Sequence, residues 1–273
     1  MAELPEIVKI AGQMLNMLGG KKIERIEIKQ ERCSNISSAE FDARARGAVI
    51  TDVSYRGKWI LIYLGKDDVI LLSPGMGADI LYFTDDNHLP GKFQIEVLLD
   101  SHDGFTVRFW WFGRFMLIPV SALGTEPAIK DIAVDPFDSG FTYEYFKSLL
   151  AGRKGQIKPF LLNQKNVGGI GNMYMHDILF QAGLHPQARI SDMSEPDIRA
   201  LYDAIQNVLG FSRDKGAFSY EYDFLGNKGG YTPDDFLVGY RAGQPCPTCG
   251  EPITAIKTGQ TSSYICPACQ KKK

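Results

Sequence analysis

The chain has 273 residues, of which 44% are hydrophobic and 23% are charged, as is usual for a protein that folds in water. This length allows one large or two ordinary domains, and no run of about eighteen apolar residues is present to cross a membrane. The formal net charge of −2 argues against a uniformly basic nucleic-acid binder, although a local basic patch would be enough for binding.

The first half of the chain predicts one helix followed by strands. A helical period begins near Pro5 and ends at Gly19, with apolar residues at positions 7, 10, 11, 14, 15 and 18. Short apolar or alternating segments then predict seven strands, at residues 23–28, 48–55, 59–64, 69–72, 79–84, 94–99 and 106–112. Many short strands at close spacing predict an antiparallel β-sandwich with a flanking helix, over residues 1–122.

After a linker at residues 123–140, the apolar period becomes helical. The pattern predicts four helices, at residues 142–150, 156–162, 172–182 and 195–211. Thr142 and Ser194 suit the N-cap positions of two of them. Residues 214–240 are rich in Gly, Tyr and Phe without a clear period, which predicts a flexible loop. We therefore expect a helical domain with a mobile loop over residues 141–240.

A glycine-rich loop, residues 165–172, joins the second of these helices to the third. Free backbone N–H groups at the start of a helix favour a phosphate, so this loop is a candidate anion site. A tight turn between two helices explains the same glycines equally well. No Walker lysine follows the loop, which argues against a nucleoside triphosphate.

Four cysteines near the end of the chain, Cys246, Cys249, Cys266 and Cys269, have the spacing C-x₂-C-x₁₆-C-x₂-C. This spacing is typical of a tetrahedral site for one structural Zn²⁺. The intervening residues predict two short strands, so we expect a zinc-finger β-hairpin over residues 241–273. Two disulfides are the alternative. The odd Cys33 and the lack of an apolar signal segment favour the metal, reduced thiols and a cytoplasmic location.

Several motifs occur in a fixed order along the chain: Glu3-Leu-Pro-Glu6, Arg56-Gly-Lys58, Ile157-Lys-Pro-Phe160, Gly169-Ile-Gly-Asn-Met-Tyr174, Ala182-Gly-Leu-His-Pro186 and the cysteine hairpin. In this order they resemble the formamidopyrimidine-DNA glycosylase and endonuclease VIII family of base-excision repair enzymes. The resemblance covers nearly the whole chain. It implies an α+β fold with a helix-two-turn-helix domain, and a bifunctional DNA glycosylase and AP lyase. The implied partner is double-stranded DNA that contains damaged bases or abasic sites. The protein is expected to act as a monomer and not to associate with a membrane.

The resemblance implies that the amine of Ala2, freed by removal of Met1, attacks the sugar C1′. An α-amine has a pKa of about 7.7–8.0, so roughly a tenth of it is neutral and nucleophilic near pH 7. Glu3 would move a proton during base departure, and Lys58 would hold a phosphate or the opened sugar. From spacing alone, Glu3 is equally a helix-start carboxylate and Lys58 a solvated strand residue.

The resemblance also implies DNA contacts. Met76 and Phe115 would fill the space that a flipped nucleotide leaves, and Asn172 would bind a phosphate. The basic residues Arg114, Arg153 and Lys158 are the remaining candidates. As alternatives, Met76 and Phe115 are core residues and Asn172 is a helix N-cap. Trp110 and Trp111 are either core aromatics or stacking surfaces for bases.

Three positions depart from the family pattern: Ala2 replaces a proline, and Gly113 and Thr261 each replace an arginine. Ala2 offers a primary amine, whose imine must stay protonated to accept electrons. Thr261 offers a neutral contact where the family has a charged one, which is about half as strong. These departures motivate one alternative, a relative that binds damaged or structured nucleic acid with little or no glycosylase activity. A zinc-ribbon partner of another protein, unrelated to nucleic acid, is a third possibility.

Overall fold

The structure, a computed structural model, describes residues 2–85, 89 and 91–271. The predicted removal of Met1 and the last two residues of the predicted finger, 272–273, lie outside these residues. The chain divides into two compact units, Met1–Asp131 with Lys215–Gly230 and Ile132–Asp214 with Tyr231–Lys273. The domain bounds expected from the sequence stay a prediction.

The first unit consists of two helices and two antiparallel sheets. Its elements are α1 (Leu4–Leu18), β1 (Ile23–Ile28), α2 (Ser38–Ala45), β2 (Ile50–Arg56), β3 (Trp59–Leu64), β4 (Asp68–Ser73), β5 (Ala78–Phe83), β6 (Ile95–Leu99), β7 (Gly104–Phe109) and β8 (Arg114–Pro119). The sheets have the strand orders β1-β6-β7-β5 and β2-β3-β4-β8. Side chains from α1 and from both sheets share one hydrophobic core, which confirms the predicted sandwich with a flanking helix.

Helix α1 places the amino end of the chain. Its buried face includes Ile7, Ile10 and Met14, at the spacing that the sequence pattern predicts. The helix packs against β2 and β3, so burial of this face fastens the residues that precede it.

The sequence pattern missed two elements of this unit, α2 and β8. Ser37 caps α2, because its side chain accepts a hydrogen bond from the backbone N–H of Glu40 at 3.2 Å. Only Phe41 and Ala45 of this short helix are buried, too few positions for a recognisable period. Strand β8 pairs with β4 and forms one edge of that sheet.

Residues 215–230 belong to the first unit and lie along α1. The backbone N–H of Phe218 donates to Glu6 Oε1 at 3.0 Å, and that of Phe224 donates to Gln13 Oε1 at 2.9 Å. The carbonyl of Phe224 in turn accepts from Tyr82 N at 2.8 Å. Side chains of α1 thus organise a segment that has no periodic pattern of its own.

The second unit contains the helices α3 (Tyr143–Leu150), α4 (Ile157–Leu162), α5 (Asn172–Gln181) and α6 (Glu195–Asp214) and the hairpin strands β9 (Thr254–Thr258) and β10 (Thr261–Ile265). Thr142 and Ser194 cap α3 and α6 as predicted, accepting from Tyr145 N at 3.2 Å and Asp197 N at 3.4 Å. Helix α5 is buried on most of its surface. In the part of the chain that the structure describes, no helix is both long enough and apolar enough to span a membrane.

Candidate nucleic-acid interface and metal site

The amino end of the first unit is buried, with Ala2 2% and Glu3 1% exposed. Glu3 is the N-cap residue of α1, and its backbone N–H donates to Glu6 Oε2 at 2.9 Å. The structure therefore agrees with the interpretation of Glu3 as a carboxylate at the start of a helix. A carboxylate has about four acceptor positions, so capping and proton transfer are compatible roles for one side chain.

Two further buried carboxylates, Asp79 and Glu221, interact electrostatically with each other, and Glu221 also interacts with Glu3. Burial raises the pKa of Glu221, and the negative charges of Asp79 and Glu3 raise it further. Asp79 is ion-paired with Arg108, whose Nε donates to Asp79 Oδ2 at 2.6 Å. Neither acid was among the residues predicted for the site. Glu221 lies in the segment without a period, and Asp79 begins an ordinary strand pattern.

Lys58 lies in the tight turn between β2 and β3. Arg56 and Trp59 are paired across the strands on either side of this turn. Gly57 has a φ of 58°, a backbone conformation that favours glycine. The turn fixes the half-buried Lys58 at the entry to β3 rather than within a strand.

Three exposed apolar side chains, Met76, Trp111 and Phe112, form what we call the apolar tip of the first unit. They are 48%, 67% and 82% exposed. The backbone N–H of Met76 donates to the carbonyl of Trp111 at 2.9 Å, which joins the two loops that carry the tip. Phe112 has a φ of 56°, which residues other than glycine rarely adopt. Large apolar side chains held in solvent by a strained backbone indicate a contact surface.

Phe115 does not belong to this tip. Its side chain is fully buried, and its ring stacks on Phe41 with the centroids 5.0 Å apart. The structure therefore corrects the expectation that Phe115 enters DNA, because the residue packs in the core of the first unit. Phe112, three residues earlier, carries the exposed ring. Trp110 is half-buried with its ring edge-on to Tyr220, so of the two tryptophans Trp111 is the exposed one.

Gly113, where the family pattern has an arginine, is closely packed. A Cβ at this position would lie 1.9 Å from the ring of Phe109, so this ring would have to shift to admit any side chain. The neighbouring Arg114 is exposed, and its Nη1 donates to the carbonyl of Arg32 at 3.2 Å.

In the second unit, the glycine-rich loop before α5 has a defined conformation. Gln164 fastens it from both sides, since Nε2 donates to Ile170 O and Oε1 accepts from Gly169 N, each at 2.8 Å. Gly171 is the N-cap residue of α5, so Asn172 is the first helical residue and not its cap. This corrects the N-cap alternative for Asn172 and leaves its amide available for other contacts.

The side chain of Asn172 lies between α5 and the β9–β10 hairpin. Its Oδ1 accepts from Thr261 Oγ1 at 3.4 Å, and its Nδ2 lies 3.3 Å from His176 Nε2. Asn172 therefore connects the start of α5 to the hairpin turn, residues 258–261. Arg153 is exposed, with its guanidinium 5.9 Å from the ring centroid of Phe160.

Lys158 is buried, although the sequence analysis names it as a candidate for contact with DNA. It is 3% exposed, and among the described residues its Nζ donates to hairpin oxygens, on Thr258, Thr261, Ser262 and Ser263. Burial lowers the pKa of Lys158 to about 8. The Lys158 ammonium is therefore not exposed for direct contact with a partner. Instead it holds the hairpin to α4.

The four predicted cysteine ligands come together at the base of the hairpin. Their sulfur atoms all lie within 4.8 Å of one another, and none of the four forms a disulfide. Sγ–Sγ distances of 3.4 to 3.9 Å approach the roughly 3.8 Å edge of a tetrahedron of thiolates around a metal ion. These thiols thus fit a structural metal ion, and the disulfide alternative is wrong.

Comparison with known proteins gives a consistent family assignment along the chain. Residues 1–115 match the formamidopyrimidine-DNA glycosylase N-terminal domain, residues 132–220 match the formamidopyrimidine-DNA glycosylase H2TH domain, and residues 243–272 match the zinc finger found in FPG and IleRS. Together these matches cover most of the chain.

Full-length relatives and solved structures are also similar to this chain. The formamidopyrimidine-DNA glycosylase of Pelotomaculum thermopropionicum is 33% identical over 282 residues, covering 100% of both chains. That of Symbiobacterium thermophilum is 33% identical and covers 99% of this chain and 89% of its own. The crystal structure of the Lactococcus lactis Fpg with DNA containing an abasic site has a TM-score of 0.90 at 26% identity, covering 99% of this chain and 100% of that one.

Proposed function

Since this chain belongs to the formamidopyrimidine-DNA glycosylase family, and on that ground is a DNA glycosylase of base-excision repair, we propose that it also cleaves the DNA strand at the abasic site through the amine of Ala2. The observation that carries this proposal is the arrangement at the amino end. Ala2 and Glu3 are buried beside a helix start, and the charge of Glu3 acts on the buried carboxyl of Glu221.

In the proposed reaction, removal of Met1 frees the Ala2 amine, which attacks C1′ of the damaged nucleotide. A C1′–N bond forms, the glycosidic bond breaks, and the base departs with a proton for which Glu3 is the nearest proposed donor. The C1′–O4′ bond then breaks as O4′ takes up a proton, which opens the sugar ring and leaves a protonated imine. This imine accepts the electrons released when a C2′ proton is lost. The 3′ C–O bond then breaks, which nicks the strand by β-elimination.

The proposed DNA contacts divide between the units. In the first unit, the apolar tip would fill the space of the flipped nucleotide, while Lys58 and Arg114 would contact phosphates. In the second, Arg153 and Asn172 would contact the backbone. The L. lactis relative is seen in complexes with abasic-site DNA and with Fapy-dG DNA, which supports damaged duplex DNA as the partner.

We further propose Zn²⁺ as the ion of the four-cysteine site, because tetrahedral thiolate coordination is typical of structural zinc. Bound zinc would supply folding energy to the hairpin and no chemistry to the reaction. A monomeric state and a cytoplasmic location stay predictions.

A second candidate function is binding of damaged DNA with little or no turnover. The departures from the family pattern at Ala2, Gly113 and Thr261 favour this alternative. It predicts tight binding to a damaged duplex without a covalent intermediate.

Borohydride trapping separates the two candidates. Purified protein, with removal of Met1 verified by mass, is incubated with abasic-site duplex and borohydride. We expect a covalent adduct that disappears when the α-amine is acetylated. Glu3→Gln should still trap the abasic site but lose excision of a damaged base. Binding without any adduct, by protein whose Met1 is removed, would reject the lyase and leave the binding function.

A further inference from the structure

The Lys158 ammonium lies among neutral oxygens. Its Nζ is 2.7 Å from Thr258 Oγ1, 2.8 Å from Thr261 Oγ1, 2.8 Å from Ser263 Oγ and 3.2 Å from Ser262 O. Within the described residues no acidic side chain shifts its protonation, and burial is the only cause acting on it. A buried charge without a counter-ion costs free energy, so an anion from outside the protein would complete this arrangement.

The hydrogen bonds around Thr261 lead from the buried ammonium to the surface. Thr261 Oγ1 accepts from Lys158 and donates onward to Asn172 Oδ1 at a long 3.4 Å. Hydrogen bonds in series polarise one another, so the hydroxyl of the exposed Thr261 becomes a stronger donor than an isolated threonine. The weak bond to Asn172 can be exchanged for one to an arriving oxygen.

A cavity of about 310 Å³ opens beside this group. Lys158, Thr258 and Thr261 line it together with the turn residues Gly259 and Gln260. The cavity is large enough for a phosphate group, and its lining brings the hydroxyl and the charge to the same side.

We propose that Thr261 and Lys158 form a two-part site for one phosphate group of bound DNA. The Thr261 hydroxyl donates to the phosphate oxygen, and Lys158 behind it supplies the positive charge and holds the turn. Lys158 is therefore a positioning residue that acts through Thr261, at the position where the family pattern has an arginine. This inference rests on the proposed function, since the phosphate belongs to the damaged duplex.

The site makes DNA binding depend on the protonation of Lys158, whose pKa burial lowers to about 8. A bound phosphate favours the ammonium, so the affinity should fall roughly tenfold for each pH unit above the pKa of the free protein. The stability of the free protein changes with pH in the opposite direction to its affinity for DNA. Its free energy of unfolding rises between about pH 8 and the ordinary lysine pKa of 10.5, because the unfolded chain binds more protons there.

His176 is a titratable side chain on which the charge of Lys158 acts. His176, on α5, has a pKa lowered to about 3 by burial and by the charge of Lys158, so it stays neutral. The ring of Tyr264, on β10, lies edge-on to His176 with the centroids 5.1 Å apart, and the Arg153 guanidinium lies 5.9 Å from the ring centroid of Phe160.

The test measures the Kd for a duplex with a tetrahydrofuran abasic-site analogue, at constant ionic strength, from about pH 7 to about pH 9.5. Wild-type protein should lose at least about tenfold in affinity over this range, and titrations in buffers of different ionisation enthalpy should show proton uptake on binding. Lys158→Gln should bind more weakly at pH 7 with a flat profile. Thr261→Val, which keeps the shape of the side chain, should weaken the binding as well.

Lys257→Gln is the matched control, since Lys257 is an exposed lysine of the same hairpin. It should keep the wild-type pH profile. A wild-type profile in Lys158→Gln, or a flat profile in the wild type, would overturn the inference while leaving the glycosylase proposal intact. Failure of the wild type to bind this duplex at any pH would instead count against the proposed function.

Discussion

The apolar tip of the first unit and the hairpin turn of the second are both proposed to contact DNA, and they are built in opposite ways. The tip holds Met76, Trp111 and Phe112 in solvent, with an unfavourable φ at Phe112. The hairpin turn hides a charge, with Lys158 covered by hydroxyls. Covering an apolar surface stabilises a complex and depends little on salt, whereas a phosphate contact weakens as salt is added. The two regions should therefore respond to different perturbations.

The largest effect should come from removing the metal, which would disrupt the hairpin turn and leave the apolar tip in place. Metal binding contributes about 10–16 kcal/mol to the folding of small zinc domains, so Cys266→Ser should unfold the hairpin. We expect metal content to be lost and affinity for abasic-site DNA to fall at least about a hundredfold.

Cys33→Ser is the matched control for this change, because Cys33 is a buried thiol of the first unit, outside the metal cluster. It should retain one metal ion and wild-type binding. Full DNA affinity in a metal-free Cys266→Ser protein would show that the hairpin turn is not part of the interface.

The two phenylalanines near the tip provide the next test. Phe115→Ala removes a buried ring and should lower the free energy of unfolding by about 3–5 kcal/mol in urea titrations. Phe112→Ala removes an exposed ring and should leave stability within about 0.5 kcal/mol. Phe112→Ala should nevertheless weaken binding to the abasic-site duplex. Equal effects of the two changes on stability would contradict the assignment of Phe112 to the surface.

Gly113→Ala tests the packing beneath the tip. Its Cβ would overlap the ring of Phe109, and overpacking of this kind costs about 1–3 kcal/mol. Gly124→Ala is the control, since no heavy atom lies within 4 Å of a Cβ there. Thermal unfolding should separate the two variants, and a Gly113→Ala protein as stable as the control would mean that Phe109 moves freely.

The smallest effect should be that of Arg153→Gln on salt dependence. If Arg153 contacts a phosphate, its removal should lower the slope of log affinity against log salt by about 1. Phe112→Ala should leave this slope unchanged, since its contact is apolar. Binding isotherms at several salt concentrations measure both, and an unchanged slope in Arg153→Gln would exclude this residue from the phosphate contacts.

Sequence reasoning succeeded where a short-range pattern carries the physics. The spacing of Cys246, Cys249, Cys266 and Cys269 predicted a site whose sulfur atoms lie within 4.8 Å of one another. The apolar period of α1 and the strand alternation predicted the sandwich. In each case the residues that act together lie within one segment of the chain, so their spacing in the sequence predicts how they are arranged in space.

It failed where the neighbours are distant in sequence. In the sequence Lys158 is a basic candidate for DNA contact, but β9 and β10, about a hundred positions later, cover it with hydroxyls. Phe112 and Phe115 are the same type of residue, yet one is exposed and the other is buried. This difference depends on the start of β8 at Arg114, which no local pattern indicated. Glu221 meets Asp79 and Glu3 only because α1 organises residues 215–230.

The burial of Ala2 has a practical consequence for anyone who purifies this protein. The side chain of Ala2 is 2% exposed and lies directly before Glu3, the N-cap residue of α1. An affinity tag fused ahead of the chain would block the proposed nucleophile. Lys271, by contrast, is exposed, so a cleavable tag belongs at the carboxyl end.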